Sequence, residues 1–371
     1  MDKFIPVNEP SLGEREKELL IECIDSGWIS SEGPFVERFE NSFSNKVNRK
    51  YGISCSSGTA ALDLAVASLN IGPGDEVIMP TFTIISCASA VVRRGAKPVL
   101  IDADPKTWNM NVDEIEASIT SKTVAIMAVH IYGLPVDMDP LLKIANKYKL
   151  FVIEDSAELI GAKYKNNPCG SFGHVSTFSF YPNKHITTGE GGMVVTNDPQ
   201  ISDRCKSLRN LCFQKNKRFI HKELGWNYRM TNLQAALGIA QLEKIDSFVN
   251  IKIKNGKIYN QFLEGIKGLE TPLKKTNYAE NIYWVYGILI NSEKTTPKKT
   301  MTKLKELNVG TRPFFYPMHQ QPVFQEMGIF DNKPFPISET LYKNGFYLPS
   351  GLSLKFESIK KVSEILKDLI K

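Results

Sequence analysis

No run of about 18 uninterrupted apolar residues occurs in the chain, which excludes a membrane-spanning helix of ordinary length. The opening residues, Met1-Asp-Lys-Phe-Ile-Pro6, lack the apolar core of a secretory leader, so a cytoplasmic protein is expected. Cysteine is sparse and scattered. Cys23, Cys55, Cys87, Cys169, Cys205 and Cys212 form no CxxC pair and no metal-ligand spacing, which points to buried free thiols rather than disulfides or a cluster. The histidines (His130, His174, His185, His221, His319) are equally dispersed, so no structural metal site is expected. The charge excess is small for the length, a net +6, and the late lysines, such as Lys252, Lys254, Lys257, Lys298 and Lys299, are not interleaved with aromatics. That pattern reads as a solvated helical face and polar loops, not a nucleic-acid interface.

What is present is enough chain for two units. At 371 residues the length exceeds the usual single core. Helix-like segments (Leu12–Ser26, Gly58–Leu69, Ile84–Arg94, Asn111–Ser118, Asp139–Lys147) alternate with short apolar runs (Glu76–Pro80, Lys97–Asp102, Val124–His130, Leu150–Asp155). The runs are apolar without alternation, as in strands covered on both faces, and their order predicts an α/β fold with a mostly parallel sheet. Functional residues are then expected at strand carboxyl ends. Met230–Tyr259 reads as one long helical region, with a boundary near Asp246–Lys252. The reading is a large domain over 1–248, N-terminal arm included, and a smaller α+β domain over 249–371. In the latter, Tyr283–Ile290 alternates like an antiparallel strand, and Met301–Leu307 and Glu357–Ile370 read as helices.

Three local patterns carry chemistry. Ser56-Ser57-Gly58-Thr59-Ala60 comes after a short strand and opens a helix, where backbone N–H groups and a hydroxyl suit an anion, although such a Ser or Thr also serves as a plain N-cap. Glu154-Asp155-Ser-Ala-Glu158 closes an apolar strand, where an acid can hold a proton on a heterocyclic nitrogen. Lys184 lies between the strand-like Ser176-Thr-Phe-Ser-Phe180 and the turn Gly189-Glu-Gly-Gly192, a rigid setting that suits a carbonyl-trapping amine. Each pattern alone is weak; their order along one chain is the stronger signal.

In that order and wording, the sequence resembles the pyridoxal-phosphate sugar aminotransferases of the DegT/DnrJ/EryC1/StrS family, of the aspartate aminotransferase-like fold type I. The likeness runs from Ile5-Pro-Val-Asn-Glu-Pro10 through Trp28-Ile-Ser-Ser31, Gly74-Asp-Glu-Val-Ile78, the Lys184 segment and Gly225-Trp-Asn-Tyr-Arg-Met-Thr-Asn232 to Thr311-Arg-Pro-Phe-Phe-Tyr-Pro-Met-His319. The resemblance implies that Lys184 carries pyridoxal 5'-phosphate and later shuttles the proton, and that Asp155 pairs with the ring nitrogen. It implies that Glu158, at a position where Gln is common, meets the phenolic oxygen, and that Ser57, Gly58, Thr59 and Ser179 hold the phosphate. Asn227 would reach the phosphate in the neighbouring subunit, which implies a homodimer with shared sites. Trp28, Ser30, His185, Arg229, Tyr316 and His319 would contact the nucleotide sugar.

The implied reaction moves an amino group from L-glutamate to C4 of a nucleotide-linked 4-keto-6-deoxyhexose, for surface polysaccharide (O-antigen) synthesis. A GDP-linked deoxymannose is the leading choice, with UDP- or dTDP-linked keto sugars as alternatives and an inactive regulatory protein as a remote one. In Pro80-Thr-Phe-Thr-Ile84 the family's ring-stacking aromatic is replaced, so either Ile84 or Phe82 would pack on the cofactor, with strand register favouring Ile84. A dehydratase branch of the family carries histidine at the catalytic position. Counting five residues back from Gly189 gives Lys184, not His185, and so amination rather than dehydration.

Overall fold

Seven strands form the first sheet of the computed structural model, which describes residues 3–214, 216–331 and 333–370. They are β1 (Tyr51–Cys55), β2 (Glu76–Pro80), β3 (Lys97–Ile101), β4 (Thr123–Val129), β5 (Phe151–Asp155) and, after a small hairpin of β6 (Lys163–Tyr164) and β7 (Asn167–Pro168), β8 (Val175–Ser179) and β9 (Gly192–Thr196). The spatial order is β1-β9-β8-β5-β4-β2-β3. β9 alone runs opposite to the other six strands, pairing Val175 with Thr196 on one side and Tyr51 with Thr196 on the other. The sheet is thus the mostly parallel one expected, and its strands are nearly continuous in burial because helices cover both faces.

The carboxyl ends of β1, β5 and β8 lie close together in this order, and each strand leads into a tightly held segment. β1 runs into the helix Gly58–Ser68, capped where the Ser57 hydroxyl accepts the Ala60 N–H at 3.1 Å. β8 and β9 are joined by residues 180–191. That loop is closed where Phe180 N–H donates to the Gly191 carbonyl at 2.9 Å and Thr188 N–H to the Phe180 carbonyl at 3.0 Å. Lys184 therefore sits on a segment fixed at both ends.

The second sheet is antiparallel, ordered β10 (Leu269–Glu270), β11 (Tyr286–Ile290), β13 (Gly345–Leu348), β12 (Arg312–Pro313), and is backed by the helix Phe356–Ile370. The 19-residue helix Ile245–Leu263 leads from one sheet to the other, so the boundary read near residue 248 falls inside a continuous helix. The N-terminal arm, read as part of the first unit, touches both: Ile5 bridges Val309 and Ser350 N–H donates to the Val7 carbonyl at 2.9 Å, while Gln241 Nε2 donates to the Ser11 carbonyl at 2.9 Å.

Other readings shift in detail. The region Asn111–Ser118 forms two 3-10 turns, Val112–Glu114 and Glu116–Ser118, in place of an α-helix; the Asn111 side chain accepts the Asp113 N–H, a local bond that competes with helical pairing. The long helical region breaks at Glu243–Lys244 into Asn232–Leu242 and Ile245–Leu263. Tyr286–Ile290 is buried on both faces rather than alternating, being the inner strand between β10 and β13. All six cysteines are buried and unpaired, and no helix among the described residues is long and apolar enough to cross a membrane.

Candidate active site

A cavity of about 510 Å³ opens between the two sheets at the carboxyl ends of β1, β5 and β8. Lys184, Asp155, Glu158, Ser57, Gly58, Thr59, Ser179 and Ile84 all line it, although they come from five separate stretches of sequence.

The floor is built by strand alternation at the end of β5. Glu154 and Asp155 face opposite sides of the sheet. Glu154 turns away from the cavity and organises the loop ahead of β8, accepting N–H groups of Gly170 (2.5 Å), Phe172 (2.9 Å) and Gly173 (3.0 Å) and the His130 ring at 3.2 Å. Its burial would raise its pKa, but the hydrogen bonds from His130 and from the Gly170 and Gly173 N–H groups hold it at about 2. His130 accepts the Val136 N–H on Nδ1, which leaves Nε2 as the donor to Glu154. Asp155 faces the cavity, anchored by the Ala157 N–H at 3.1 Å, Thr177 Oγ1 at 3.4 Å and Cys87 Sγ at 3.3 Å.

Glu158 and Lys184 form the reactive end. Glu158 Oε2 accepts the Tyr132 N–H at 2.7 Å, a bond aimed by a left-handed turn at Tyr132 (φ 54°). Oε1 is left facing Lys184 Nζ at 3.9 Å. Burial pushes the Glu158 carboxyl up to about 8, against the opposing pull of Lys184 and the Tyr132 N–H. Burial also lowers the Lys184 pKa, although Glu158, Asp155 and Cys87 pull it the other way. An amine that can be neutral thus stands beside an acid that can hold its proton. On its other side, Lys184 Nζ lies 3.8 Å from the centre of the Trp284 ring. Trp284 Nε1 donates to the Asn183 carbonyl at 2.8 Å, and Asn8 Nδ2 donates to the same oxygen at 3.0 Å.

The opposite end of the cavity is an anion cradle. The helix Gly58–Ser68 points its N-terminus into it, and the Thr59 and Ser86 hydroxyls are bonded at 2.9 Å. Backbone and side chain approach so closely that a Cβ on Gly58 would lie 2.7 Å from Ser179 Cβ, and one on Gly192 would lie 2.2 Å from the Ser57 carbonyl. Both positions require glycine. An anion end, a lysine end and an acid between them match the three parts of pyridoxal phosphate: phosphate, aldehyde and ring nitrogen.

Of the two candidates for the ring-facing position, Ile84 is 42% exposed and lines the cavity, whereas Phe82 is fully buried among Tyr132, Phe314 and Phe315. Strand alternation would put residues 82 and 84 on one face; the chain leaves the strand after Pro80 and bends at Thr81–Thr83, which separates the two.

The remaining expected residues are not in this chain's cavity. Asn227 is exposed and accepts from Arg229 Nε at 2.9 Å. Trp28 and Ser30 sit on a loop tied to the same region, where Asn232 Nδ2 donates to the Trp28 carbonyl at 2.7 Å and Asn232 N–H to the Ser30 carbonyl at 2.7 Å. These four residues form one cluster on the surface, half of the Trp28 side chain being open to solvent. Tyr316 packs edge-on against Tyr342, outside the cavity lining. His319 is tied to Thr81 Oγ1 at 2.8 Å and Glu339 at 3.2 Å. His185 is fully buried behind Lys184, with no hydrogen bond to either ring nitrogen and none of its surface in the cavity.

Among the lining residues that escaped the sequence reading are Asn8 from the arm, Ser86 in the anion cradle, and Trp284, Arg312 and Tyr347 from the second sheet's side. No local pattern marks Trp284 and Tyr347, because the fold brings them in from the far half of the chain. Asn8 and Arg312, each within a motif already singled out, were open to being found.

This fold and this site define a pyridoxal-phosphate-dependent aminotransferase of fold type I. The chain belongs to the DegT/DnrJ/EryC1/StrS aminotransferase family, whose profile matches residues 10–367. It is 43% identical over 366 residues to the GDP-perosamine synthase of Escherichia coli O157:H7, covering 99% of this chain and 98% of that one. To the GDP-perosamine synthase of Caulobacter vibrioides it is 40% identical over 367 residues, with 99% and 98% covered. Among solved structures, Helicobacter pylori PseC, an aminotransferase involved in the biosynthesis of pseudoaminic acid, superposes with a TM-score of 0.92 at 25% identity, over 99% of each chain.

Proposed function

We propose that the protein transfers an amino group from L-glutamate to C4 of GDP-4-keto-6-deoxy-D-mannose, forming GDP-perosamine. The observation that carries the chemistry is the meeting of Lys184, Asp155 and Glu158 with the Gly58–Thr59 cradle in one cavity. The identity of 43% and 40% to two GDP-perosamine synthases, over essentially whole chains, favours this sugar within the family.

Pyridoxal phosphate, when bound, supplies an aldehyde that takes up the amino group and a ring that withdraws electrons from the reacting carbon. Lys184 would be the amine that holds the cofactor between turnovers and, once free of it, the base that would move the proton at C4 of the sugar. Its lowered pKa keeps the neutral amine accessible. Asp155, buried and held by three donors, keeps a proton on the ring nitrogen. Glu158 offers Oε1 to the phenolic oxygen, since Oε2 is occupied by Tyr132. The helix N-terminus at Gly58, with Thr59, Ser57 and Ser179, holds the phosphate. Ile84, which lines the cavity, would pack on the ring.

The protein acts as a homodimer in this reading. Asn227 is exposed and away from its own chain's cavity, which suits a contact to the partner subunit's cofactor phosphate; Arg229, Trp28 and Ser30 cluster with it and would meet the nucleotide sugar there. Tyr316, His319 and His185 would support that cleft from behind rather than touch the sugar, since none lines the cavity.

The test is a panel of GDP-, UDP- and dTDP-linked 4-keto-6-deoxy sugars, each with glutamate and with product identification. GDP-perosamine from the GDP sugar, at a kcat/KM at least about tenfold above the others, is expected; a preferred UDP or dTDP sugar, or a C3 amine, overturns the substrate choice.

A further inference from the structure

Behind Lys184 lies a second buried amine that the reaction does not use. Lys252, on the helix Ile245–Leu263, is 1% exposed, and both of its hydrogen bonds go to main-chain carbonyls, Trp284 O at 3.1 Å and Ser350 O at 2.5 Å. The neighbouring Tyr259 on the same helix face binds the Pro349 carbonyl at 3.0 Å, which already secures that turn. What Lys252 adds is the bond to Trp284. Trp284 in turn grips the Lys184 loop twice, with its ring face 3.8 Å from Lys184 Nζ and its Nε1 on the Asn183 carbonyl at 2.8 Å.

We propose that Lys252 is a positioning residue for Lys184: by fixing the Trp284 main chain, it holds the indole face where the Lys184 amine rests when it is not bonded to cofactor. A protonated amine over an indole is stabilised by the ring's negative face. The ring is thus a resting place for the ammonium form, from which the proton is delivered. The inference rests on Lys184 being the cofactor lysine.

The other groups facing Lys184 are Glu158 and Asp155 from the end of β5, Cys87 from the helix Ile85–Arg93, and His185, which lies between the two lysines in charge terms. Burial and the Lys184 charge lower the Lys252 pKa to about 7, so Lys252 could also act simply as a repelling charge. That rival has the opposite sign, which makes the two separable.

The experiment tracks the rate at which cofactor-free protein captures added pyridoxal phosphate, read by visible absorbance across pH, in wild type, Lys252→Met, Trp284→Leu and the double variant. Capture by wild type and its absence in Lys184→Ala tests the cofactor-lysine assignment separately. Loss of the ring contact removes support for the ammonium form. Half-maximal capture should therefore move to lower pH by about half to one unit in each single variant, and no further in the double. A rise in that pH for Lys252→Met would mark Lys252 as a repelling charge and overturn the proposal. An unchanged pH with only a lower melting temperature would mark it as a strut and overturn it equally. Should Lys252→Met fail to fold, Lys252→Gln, which keeps an uncharged NH2 donor on a shorter side chain, should show a smaller shift in the same direction, and the same two outcomes would count against it.

Discussion

Glu158 Oε1 stands 3.9 Å from Lys184 Nζ, and burial pushes the two groups in opposite directions, the acid up to about 8 and the amine down. Their proton affinities are drawn toward each other across that contact. That relationship governs both the chemistry and the pH response of the site.

Glu158→Gln removes this titration. In the folded protein the carboxyl holds its proton to about 8, against 4.5 when unfolded. The unfolded state therefore binds fewer protons between those values, and the group's favourable contribution, complete below 4.5, is lost as pH rises through about 8. Urea unfolding of cofactor-free protein at pH 5 and pH 9 should show wild type losing on the order of 1 kcal/mol or more relative to Glu158→Gln across that interval. Equal losses would place the proton elsewhere.

Gly58→Ala should weaken cofactor binding without unfolding the protein, because the added methyl meets Ser179 Cβ at 2.7 Å at the mouth of the cradle. Equilibrium dialysis with pyridoxal phosphate should give a Kd raised at least about tenfold.

Phe82 and Ile84 should separate stability from binding. Phe82 is fully buried against Tyr132 and Phe314, so Phe82→Ala should cost about 3–5 kcal/mol in denaturant unfolding. Ile84 is 42% exposed into the cavity, so Ile84→Ala should cost under about 1 kcal/mol while speeding cofactor loss on dilution.

Sharing of sites between subunits has a numerical signature. Lys184→Ala and Asn227→Ala proteins should each be nearly inactive alone. After mixing and subunit exchange, half of the dimers are mixed, and each mixed dimer carries one intact site, so about a quarter of wild-type activity should return. If Asn227 served its own chain's site, no activity would return.

Much of the site was legible because its residues sit at points where local pattern and function coincide. Gly58 opens a helix after β1, Asp155 ends an apolar strand, and Lys184 lies in the loop that joins the antiparallel pair β8 and β9. Each is marked by its immediate neighbours. Trp284 is separated from Asn183 by 101 positions and is carried to it by the helix Ile245–Leu263 and the second sheet, which no local period records. His185 and His319 illustrate the converse. Both flank recognisable motifs, yet packing turns one into the core and ties the other to Thr81 and Glu339. The 3-10 turns at 112–118 and the break at Glu243–Lys244 were missed because side-chain bonding and tertiary packing outweighed helical periodicity.

The assignment of Lys184 is tested most directly by borohydride reduction of the cofactor-loaded protein, which fixes the carbon–nitrogen bond to the cofactor, and then by peptide mass mapping. The pyridoxyl mass should appear on the peptide containing Lys184 alone. The same mass on another lysine, the buried Lys252 above all, or on none, would contradict it.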